Sequence, residues 1–203
     1  MDRERILQAA RELFFKYGIK SITMDDFAKH LGISKKTIYQ FFENKDQIVN
    51  TLTKESLIER RCQFEEVADT SENAIDEIME MMKHMSAIFK QMNPNVFYDM
   101  QKYHPLAWNH FRDFKEQCIM VKVEENLKKG IKQGLYRKDI DTKIMAKLRI
   151  EQVEMAMNPA IFNPEKFKLS NVQVALLDHF LHGITTLKGH KLINKYKKIV
   201  EEE

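Results

Sequence analysis

The sequence predicts an all-α fold of about nine or ten helices, and three observations support this prediction. First, 43% of the 203 residues are hydrophobic, which is enough to build a core. Second, the chain has only 6 Gly and 4 Pro, fewer than long linkers or a many-turned β architecture need. Third, apolar residues recur at helical spacing along most of the chain, and no segment shows convincing strand alternation.

The first predicted helix ends at Gly18, and a second begins after Thr23. The apolar positions of the first helix are Ile6, Leu7, Ala10, Leu13, Phe14 and Tyr17. Gly18 is typical of a helix C terminus because glycine adopts a left-handed backbone at little cost. Thr23 has Asp26 three residues later, which resembles a capping box at a helix start. Gly32 then ends this short second helix.

The remaining helices are predicted from the same start and stop signals. Ser34 caps a third helix, and Asn44 caps a fourth, with Gln47 placed to complete another capping box. The fourth helix runs to about Arg61. The later segments are Asn73–Met92, Asn95–Tyr103, Pro105 to Lys132, a helix from Asp139 or Asp141 to near Asn158, one from Ser170 to Leu187, and a short terminal helix.

Overall charge and cysteine content restrict the class of protein. The formal net charge of +3 is mildly basic, so the location of the charge is more informative than its amount. Charged residues interrupt every apolar run, and we therefore expect a cytoplasmic protein with no membrane partner. Cys62 and Cys118 lack CxxC spacing, which favours two free structural thiols over a zinc site. A regulatory, redox-active thiol remains an alternative.

Residues 23–42 have the layout of a helix-turn-helix. Small and apolar residues share the inner faces of two short helices, and Gly32 lies at the turn between them. These residues are Phe27, Ala28, Leu31, Ile33, Ile38 and Phe41. The second short helix can then expose its polar side chains to a partner.

The polar side chains of this segment indicate a partner with negative charge. Four lysines and one glutamate between residues 29 and 45 give a local charge of 4 − 1 = +3, which equals the net charge of the whole chain. Lysine at the start of a helix is unfavourable for the helix dipole. The presence of Lys35 and Lys36 at this helix start is better explained by contact with a phosphate backbone. The alternative interpretation is a helical hairpin whose lysines are only solvated.

The segment also resembles the DNA-reading part of a known family. The run LGISKKTIYQFFENKDQIV (31–49), preceded by SITMDDFAKH (21–30), is similar to the tetracycline-repressor (TetR) family. QGLYRKDID (133–141) resembles a link common before the last two large helices of that family. The resemblance implies a DNA-binding domain over residues 1–46 and a helical domain for effector binding and dimerisation over 47–203. It also implies a homodimeric repressor of a palindromic operator, released by a small lipophilic effector.

The resemblance assigns DNA contacts residue by residue. Lys35 and Lys36 match positions that commonly reach base edges in the major groove, and Gln40 is a weaker candidate for a base or phosphate. Thr37, Tyr39 and Lys45 match phosphate-binding positions, and Thr23 and Ser34 combine capping with a place at the DNA surface. Phe41 stands where some relatives have a polar side chain, and we expect it to pack instead.

The resemblance also implies a dimer interface and an effector pocket in the helical domain. The predicted dimer residues lie on the last two large helices: Ile150, Val153, Met157, Leu177, Phe180, Leu181 and Ile184. The predicted effector residues form a methionine-rich and aromatic set, suited to a lipophilic molecule: Met82, Met85, Phe89, Phe97, Tyr98, Tyr103, Trp108 and Phe111. For both sets, burial in the chain's own core is the alternative.

Two other classes of function are less compatible with the sequence. An enzyme with a helical metal site could use His179 and His182 with Asp178, Glu151 and Glu154, but the paired Glu-x-x-His motifs of diiron bundles are absent. There is no phosphate loop, nucleophile elbow or HExxH motif, so we expect neither catalysis, nor a cofactor, nor a metal. A scaffold that has lost DNA binding is disfavoured by the intact set of lysines and Tyr39.

Overall fold

A computed structural model describes residues 3–197, and their regular secondary structure is helical throughout, apart from one isolated β-bridge between Tyr136 and Thr185. This confirms the predicted all-α fold class. In this part of the chain, no helix is both long enough and apolar enough to cross a bilayer. The helices are α1 (Arg3–Tyr17), α2 (Met24–Leu31), α3 (Lys35–Tyr39), α4 (Lys45–Thr70), α5 (Ala74–Gln91), α6 (Val96–Tyr103), α7 (Pro105–Phe114), a π-helical turn (Lys115–Ile119), α8 (Met120–Lys132), α9 (Thr142–Met157), α10 (Leu169–Ile184) and α11 (Leu187–Lys197).

The predicted helix caps are confirmed in part. Asn44 caps α4 because its Oδ1 accepts from the Gln47 backbone N–H at 2.9 Å. The predicted capping box there is wrong, since the Gln47 Oε1 accepts from the N–H of Glu43 instead, at 2.6 Å. Ser170 is not the cap of α10: the helix begins at Leu169, and Lys168 precedes it without a side-chain cap.

The predicted helix from Pro105 to Lys132 is helical over its whole length but not uniformly α-helical. Lys115–Ile119 forms a π-helical turn between α7 and α8. Such turns are rare and frequently occur at functional sites.

The described residues divide into two compact units. A head unit combines residues 3–60 with 91–114, and a bundle unit combines 61–90 with 115–197. Residues 91–114 therefore group with the N-terminal helices although they lie much later in the sequence. The predicted division into domains at residues 46 and 47 concerns function and stays a prediction.

The head unit has its own apolar core. Its buried residues from α1 to α4 and the loop before α4 include Ile6, Leu7, Ala10, Phe14, Phe27, Ile38, Phe42 and Ile48. Phe14 and Phe27 meet edge to face, with ring centroids 5.6 Å apart at 76°. This contact fixes α1 against α2 and so supports the helix-turn-helix.

Within the head unit, polar contacts hold the segment 91–114 against residues 3–60. The Asn93 N–H donates to the Phe15 carbonyl at 2.6 Å, and the Lys20 N–H donates to the buried Asp99 carboxylate at 2.8 Å. The His104 Nδ1 lies 2.6 Å from an Asp46 carboxylate oxygen near the start of α4. These contacts hold α6 and α7 against the loop before α2 and against α4.

The bundle unit is built around α8, α9 and α10, with α9 packed on both of the others. Its core includes Leu127, Tyr136, Ala146, Leu177, Phe180, Leu181, Ile184 and Ile193. The hydroxyl of Tyr136 lies 3.2 Å from the Ala74 carbonyl and 3.1 Å from Asn126 Oδ1. The ring of Tyr136 lies so close to Gly130 that a Cβ there would be 2.1 Å from Cδ2. This close approach explains a glycine within α8.

Candidate nucleic-acid interface and ligand cavity

The turn between α2 and α3 is fixed by local backbone geometry. Gly32 adopts a left-handed conformation with φ 66° and ψ 33°, and this conformation explains the glycine, since a Cβ there would meet nothing within 4 Å. The Ile33 N–H then donates to the Ala28 carbonyl at 3.0 Å. Ser34 caps α3 by accepting from the Thr37 N–H at 3.1 Å. Ile38 is fully buried and anchors the five-residue α3 to the core.

Three of the eight predicted DNA-binding side chains point outward without an intramolecular partner. Lys36, Tyr39 and Gln40 are exposed, and no described residue forms a hydrogen bond or ion pair with their side chains. Tyr39 is 49% exposed although its hydrocarbon ring would favour burial. We call this surface of Lys36, Tyr39 and Gln40 the reading surface.

Four other predicted DNA-binding residues have partners within the head unit. The Lys35 ammonium pairs with Asp25 at 2.6 Å, and both side chains are exposed. The hydroxyls of Ser34 and Thr37 lie 2.9 Å apart. Thr23 and Asp26 form the predicted capping box, with the Thr23 hydroxyl also donating to Asp26 at 2.6 Å. These contacts within the head unit shape the helix-turn-helix motif.

Lys45 is directed into the head unit. Its ammonium donates to the carbonyls of Ile19 at 3.1 Å and Ile22 at 2.9 Å, in the loop before α2. Burial lowers the pKa of Lys45, although Asp46 and Asp99 counteract this. The contact joins the start of α4 to the loop that positions α2. Lys45 therefore positions α4 and the loop before α2. The predicted phosphate contact is not supported, because the ammonium points to these carbonyls.

Phe42, and not Phe41, packs into the core of the head unit. Phe41 is 39% exposed, whereas Phe42 is buried. The expectation that Phe41 packs is therefore wrong, because the chain after α3 turns its next side chain, Phe42, into the core. Arg3 lies over the Phe42 ring, with 5.8 Å between the guanidinium carbon and the ring centroid.

Comparison with known proteins agrees with this geometry. Residues 6–52, which include the whole helix-turn-helix, match the family model described as "Bacterial regulatory proteins, tetR family". The helix-turn-helix segment of this chain is therefore that of a TetR-family transcriptional regulator. A curated relative, the uncharacterized HTH-type transcriptional regulator YvaF of Bacillus subtilis, is 26% identical over 187 residues, covering 91% of this chain and 96% of that protein.

Solved structures of similar regulators show the same fold. A TetR-family regulator from Agrobacterium tumefaciens superposes with a TM-score of 0.75 at 17% identity, covering 90% of this regulator and 97% of that chain. The regulator FadR from Bacillus subtilis, in complex with stearoyl-CoA, superposes with a TM-score of 0.64 at 19% identity, covering 90% of this regulator and 100% of that chain.

The bundle unit of the regulator contains a mainly apolar cavity of about 160 Å³. Three of the predicted effector residues line it: Met82, Met85 and Phe89. The other lining residues are Phe64, Glu77, Ile78, Met81, Ile119, Lys122, Val123, Asn126, Arg149, Ile150, Val153, Gln173 and Leu177. Methionine and aromatic side chains of this kind suit a lipophilic ligand.

The other five predicted effector residues do not line this cavity and belong to the head unit. They are Phe97, Tyr98, Tyr103, Trp108 and Phe111. The Phe111 ring packs against Phe97 and Trp108, with centroids 5.2 and 5.5 Å away. Tyr98 and Tyr103 are exposed, and Lys102 lies over both rings. Their predicted contact with an effector stays a prediction, and it does not concern this cavity.

Five polar cavity residues were missed by the sequence analysis: Glu77, Lys122, Asn126, Arg149 and Gln173. Arg149 on α9 and Gln173 on α10 are both buried and line the cavity. A signal for Arg149 was present, since it follows Ala146 by three residues and precedes Val153 by four, on the apolar stripe of α9. A lone arginine on such a stripe indicates a buried charge.

Most of the predicted dimer residues are part of this chain's own core. Ile150, Leu177, Phe180, Leu181 and Ile184 are at most 4% exposed, so these side chains have no surface left for a second copy. Their assignment to a dimer interface is corrected to intramolecular packing. The two remaining residues, Val153 and Met157, are half-buried, and Val153 lines the cavity.

The histidines and acids considered as a metal site do not form one. Within residues 3–197, no group of three or more His, Cys, Asp or Glu side chains could hold a metal ion. The His182 ring instead interacts with Asp178, whose carboxylate also pairs with Lys197.

Proposed function

We propose that the regulator is a homodimeric repressor of a palindromic operator and that a small lipophilic effector releases it. The observation that carries this proposal is the reading surface. Its three polar side chains lie on α3 or directly after it, are exposed and have no partner among the described residues, while Ile38 anchors the opposite face of the helix. A short rigid helix with unsatisfied donors fits the major groove, where base edges offer acceptors.

The partners found in the head unit refine the proposed division of roles. Lys36 reads base edges, with its three N–H donors suited to guanine O6 and N7. Tyr39 and Gln40 contact phosphates or base edges beside it. Lys35 reaches DNA only by leaving Asp25, and Lys45 acts indirectly by holding the start of α4.

A different face of α9 and α10 suits dimerisation. Ile144 and Leu148 on α9 and Val174 on α10 are large apolar residues that are exposed in the single chain. Exposed apolar residues on two neighbouring helices are typical of an interaction surface. We expect Leu148→Glu to convert a dimer to a monomer in sedimentation equilibrium. Leu106→Glu, at an apolar and even more exposed position in the head unit, should leave the dimer intact.

The effector step is supported by the cavity and by the lipophilic ligand of a similar regulator, the FadR bound to stearoyl-CoA. Two chain segments connect the cavity to the head unit. Phe64 of the cavity lies on α4, the helix that follows α3 in the chain. Phe89 of the cavity precedes the segment 91–114, in which Asp99 and His104 form hydrogen bonds within the head unit. An effector that binds one arrangement of these segments more tightly shifts the population away from the DNA-binding state.

Selection of bound duplexes from a random pool tests the proposal. We expect an inverted repeat with two half-sites on one face of the duplex. Lys36→Ala should reduce discrimination between the selected site and a single-base variant, whereas Lys138→Ala, an exposed lysine in the bundle unit, should not. A pool that shows no enrichment, or a lone unrepeated site, contradicts the proposed dimeric reader.

A further inference from the structure

The cavity wall contains a cation with no counter-charge. Arg149 is 8% exposed, and its Nη1 has no hydrogen-bond partner among the described residues. No ion pair within residues 3–197 includes Arg149. A buried guanidinium is normally paired with a carboxylate or with several acceptors, because burial of an unpaired charge is costly.

The other charged groups of the cavity wall are paired. Glu77 forms an ion pair with Lys129 at 2.7 Å, and Lys122 with Glu125 at 3.2 Å. Burial alone lowers the pKa of Arg149, to about 10, which leaves the guanidinium charged at neutral pH. The cavity therefore presents one uncompensated positive charge.

A second polar atom of the cavity wall is also unsatisfied. Gln173 is 1% exposed, and its Nε2 donates to the Val153 carbonyl at 3.0 Å, which fixes the orientation of the amide. Its Oε1 has no partner among the described residues. Two unsatisfied polar atoms in one small cavity are unusual, since buried polar atoms are almost always hydrogen-bonded. The Arg149 Nη1 is a donor and the Gln173 Oε1 is an acceptor, so of these two only Arg149 can bind an anionic group.

The remainder of the wall favours a hydrocarbon body. Met81, Met82, Met85, Phe89 and Ile119 surround the same space. The cavity volume of about 160 Å³ limits the ligand to a small molecule.

We infer that the effector of this cavity is a small amphipathic monocarboxylate, whose head pairs with Arg149 and whose apolar body lies among the methionines. The inference rests on the proposed effector role of the cavity. A carboxylate matches the planar fork of a guanidinium and brings one negative charge for one positive charge. A phosphate monoester would bring a second charge into an apolar wall, where it has no partner.

The test compares three ligands with the same carbon chain on the full-length regulator. Octanoate, octan-1-ol and octylammonium differ only in the head group, and isothermal titration calorimetry measures each dissociation constant. We expect octanoate to bind at least tenfold more tightly than octan-1-ol, and octylammonium more weakly than both. Equal affinities, or no saturable octanoate binding at millimolar concentrations, overturn the inference.

Variants then assign the preference to one side chain. Arg149→Met should bring octanoate and octan-1-ol within about twofold of each other, while Arg149→Lys retains part of the preference. The control Arg137→Met removes an exposed arginine of the same unit, paired with Asp139 at 3.6 Å, and should keep the full preference. An octanoate preference that survives in a folded Arg149→Met variant overturns the inference. If the Arg149→Met variant does not fold, the comparison of the three ligands on the wild-type regulator tests the inference by itself.

These measurements involve no DNA and therefore separate the two proposals. A regulator that prefers octanoate but keeps its selected DNA site in the presence of octanoate refutes the proposed release and leaves the ligand class standing. A regulator that binds a selected site but shows no head-group preference refutes the ligand class alone.

Discussion

Replacement of Arg149 by methionine should stabilise the ligand-free regulator. Burial without a counter-charge lowers the pKa of this guanidinium to about 10, well below its ordinary value. Each pKa unit corresponds to about 1.4 kcal/mol, so keeping the group charged in the folded state costs about 3 kcal/mol at neutral pH. Replacement by methionine removes this cost, but methionine is smaller, and the lost packing offsets about 1 kcal/mol of the stabilisation. The expected net gain is about 2 kcal/mol, or a Tm higher by roughly 4–8 °C for a chain of this size.

Urea denaturation at pH 7, followed by circular dichroism, measures this difference as a change in the free energy of unfolding. The pH dependence provides a second signature. Below pH 10, Arg149 is protonated in both states and the difference between variant and wild type is constant. Above pH 10, the folded state loses the proton first, so the wild type recovers stability and the difference narrows.

The outcome that refutes this reasoning is a folded Arg149→Met variant that is less stable than the wild type by about 1 kcal/mol or more, on the order of one lost hydrogen bond. That result shows that the guanidinium contributes favourable interactions in the ligand-free chain. Arg137→Met should change the free energy of unfolding by less than about 0.5 kcal/mol, since an exposed ion pair contributes little.

The remaining predictions concern close packing and thiol chemistry. Gly130→Ala should destabilise the regulator by about 1–3 kcal/mol in urea denaturation, because the added Cβ meets the Tyr136 ring at 2.1 Å. Gly183→Ala, where a Cβ meets nothing within 4 Å, should instead stabilise it by up to about 1 kcal/mol; equal effects of the two changes contradict the packing argument. Iodoacetamide should label Cys62 before Cys118 in a mass-spectrometric time course, because Cys62 is exposed and burial raises the pKa of the Cys118 thiol. Equal labelling rates of the two cysteines in the folded regulator contradict the burial of Cys118.

Features that depend on a few neighbouring residues were predictable from the sequence. The capping box of Thr23 and Asp26 and the turn at Gly32 each involve residues within four positions of one another, so local geometry determines them. The outward position of Lys36 follows from the same local register, because Ile38 is buried on the opposite side of α3.

Features that depend on distant partners were not predictable. A charge count could not show that Lys35 pairs with Asp25, ten positions earlier, or that Lys45 is held by carbonyls 23 and 26 positions away. The aromatic residues of α6 and α7 were assigned to the ligand cavity because composition does not tell which unit a helix joins. The unpaired state of Arg149 likewise depends on every side chain that folding brings around it.

The ion pair between Lys35 and Asp25 has a consequence for counter-ions. A lysine that neutralises a phosphate releases condensed cations from DNA, and the logarithm of the affinity then falls with the logarithm of salt by about 0.9 for each such contact. Because Lys35 carries its own internal counter-ion, it releases none while that pair persists. The salt slope of operator binding therefore reflects fewer cations than the lysines around α3 suggest. Asp25→Asn removes the internal counter-ion and makes the slope steeper, by up to about 0.9 for each head that binds.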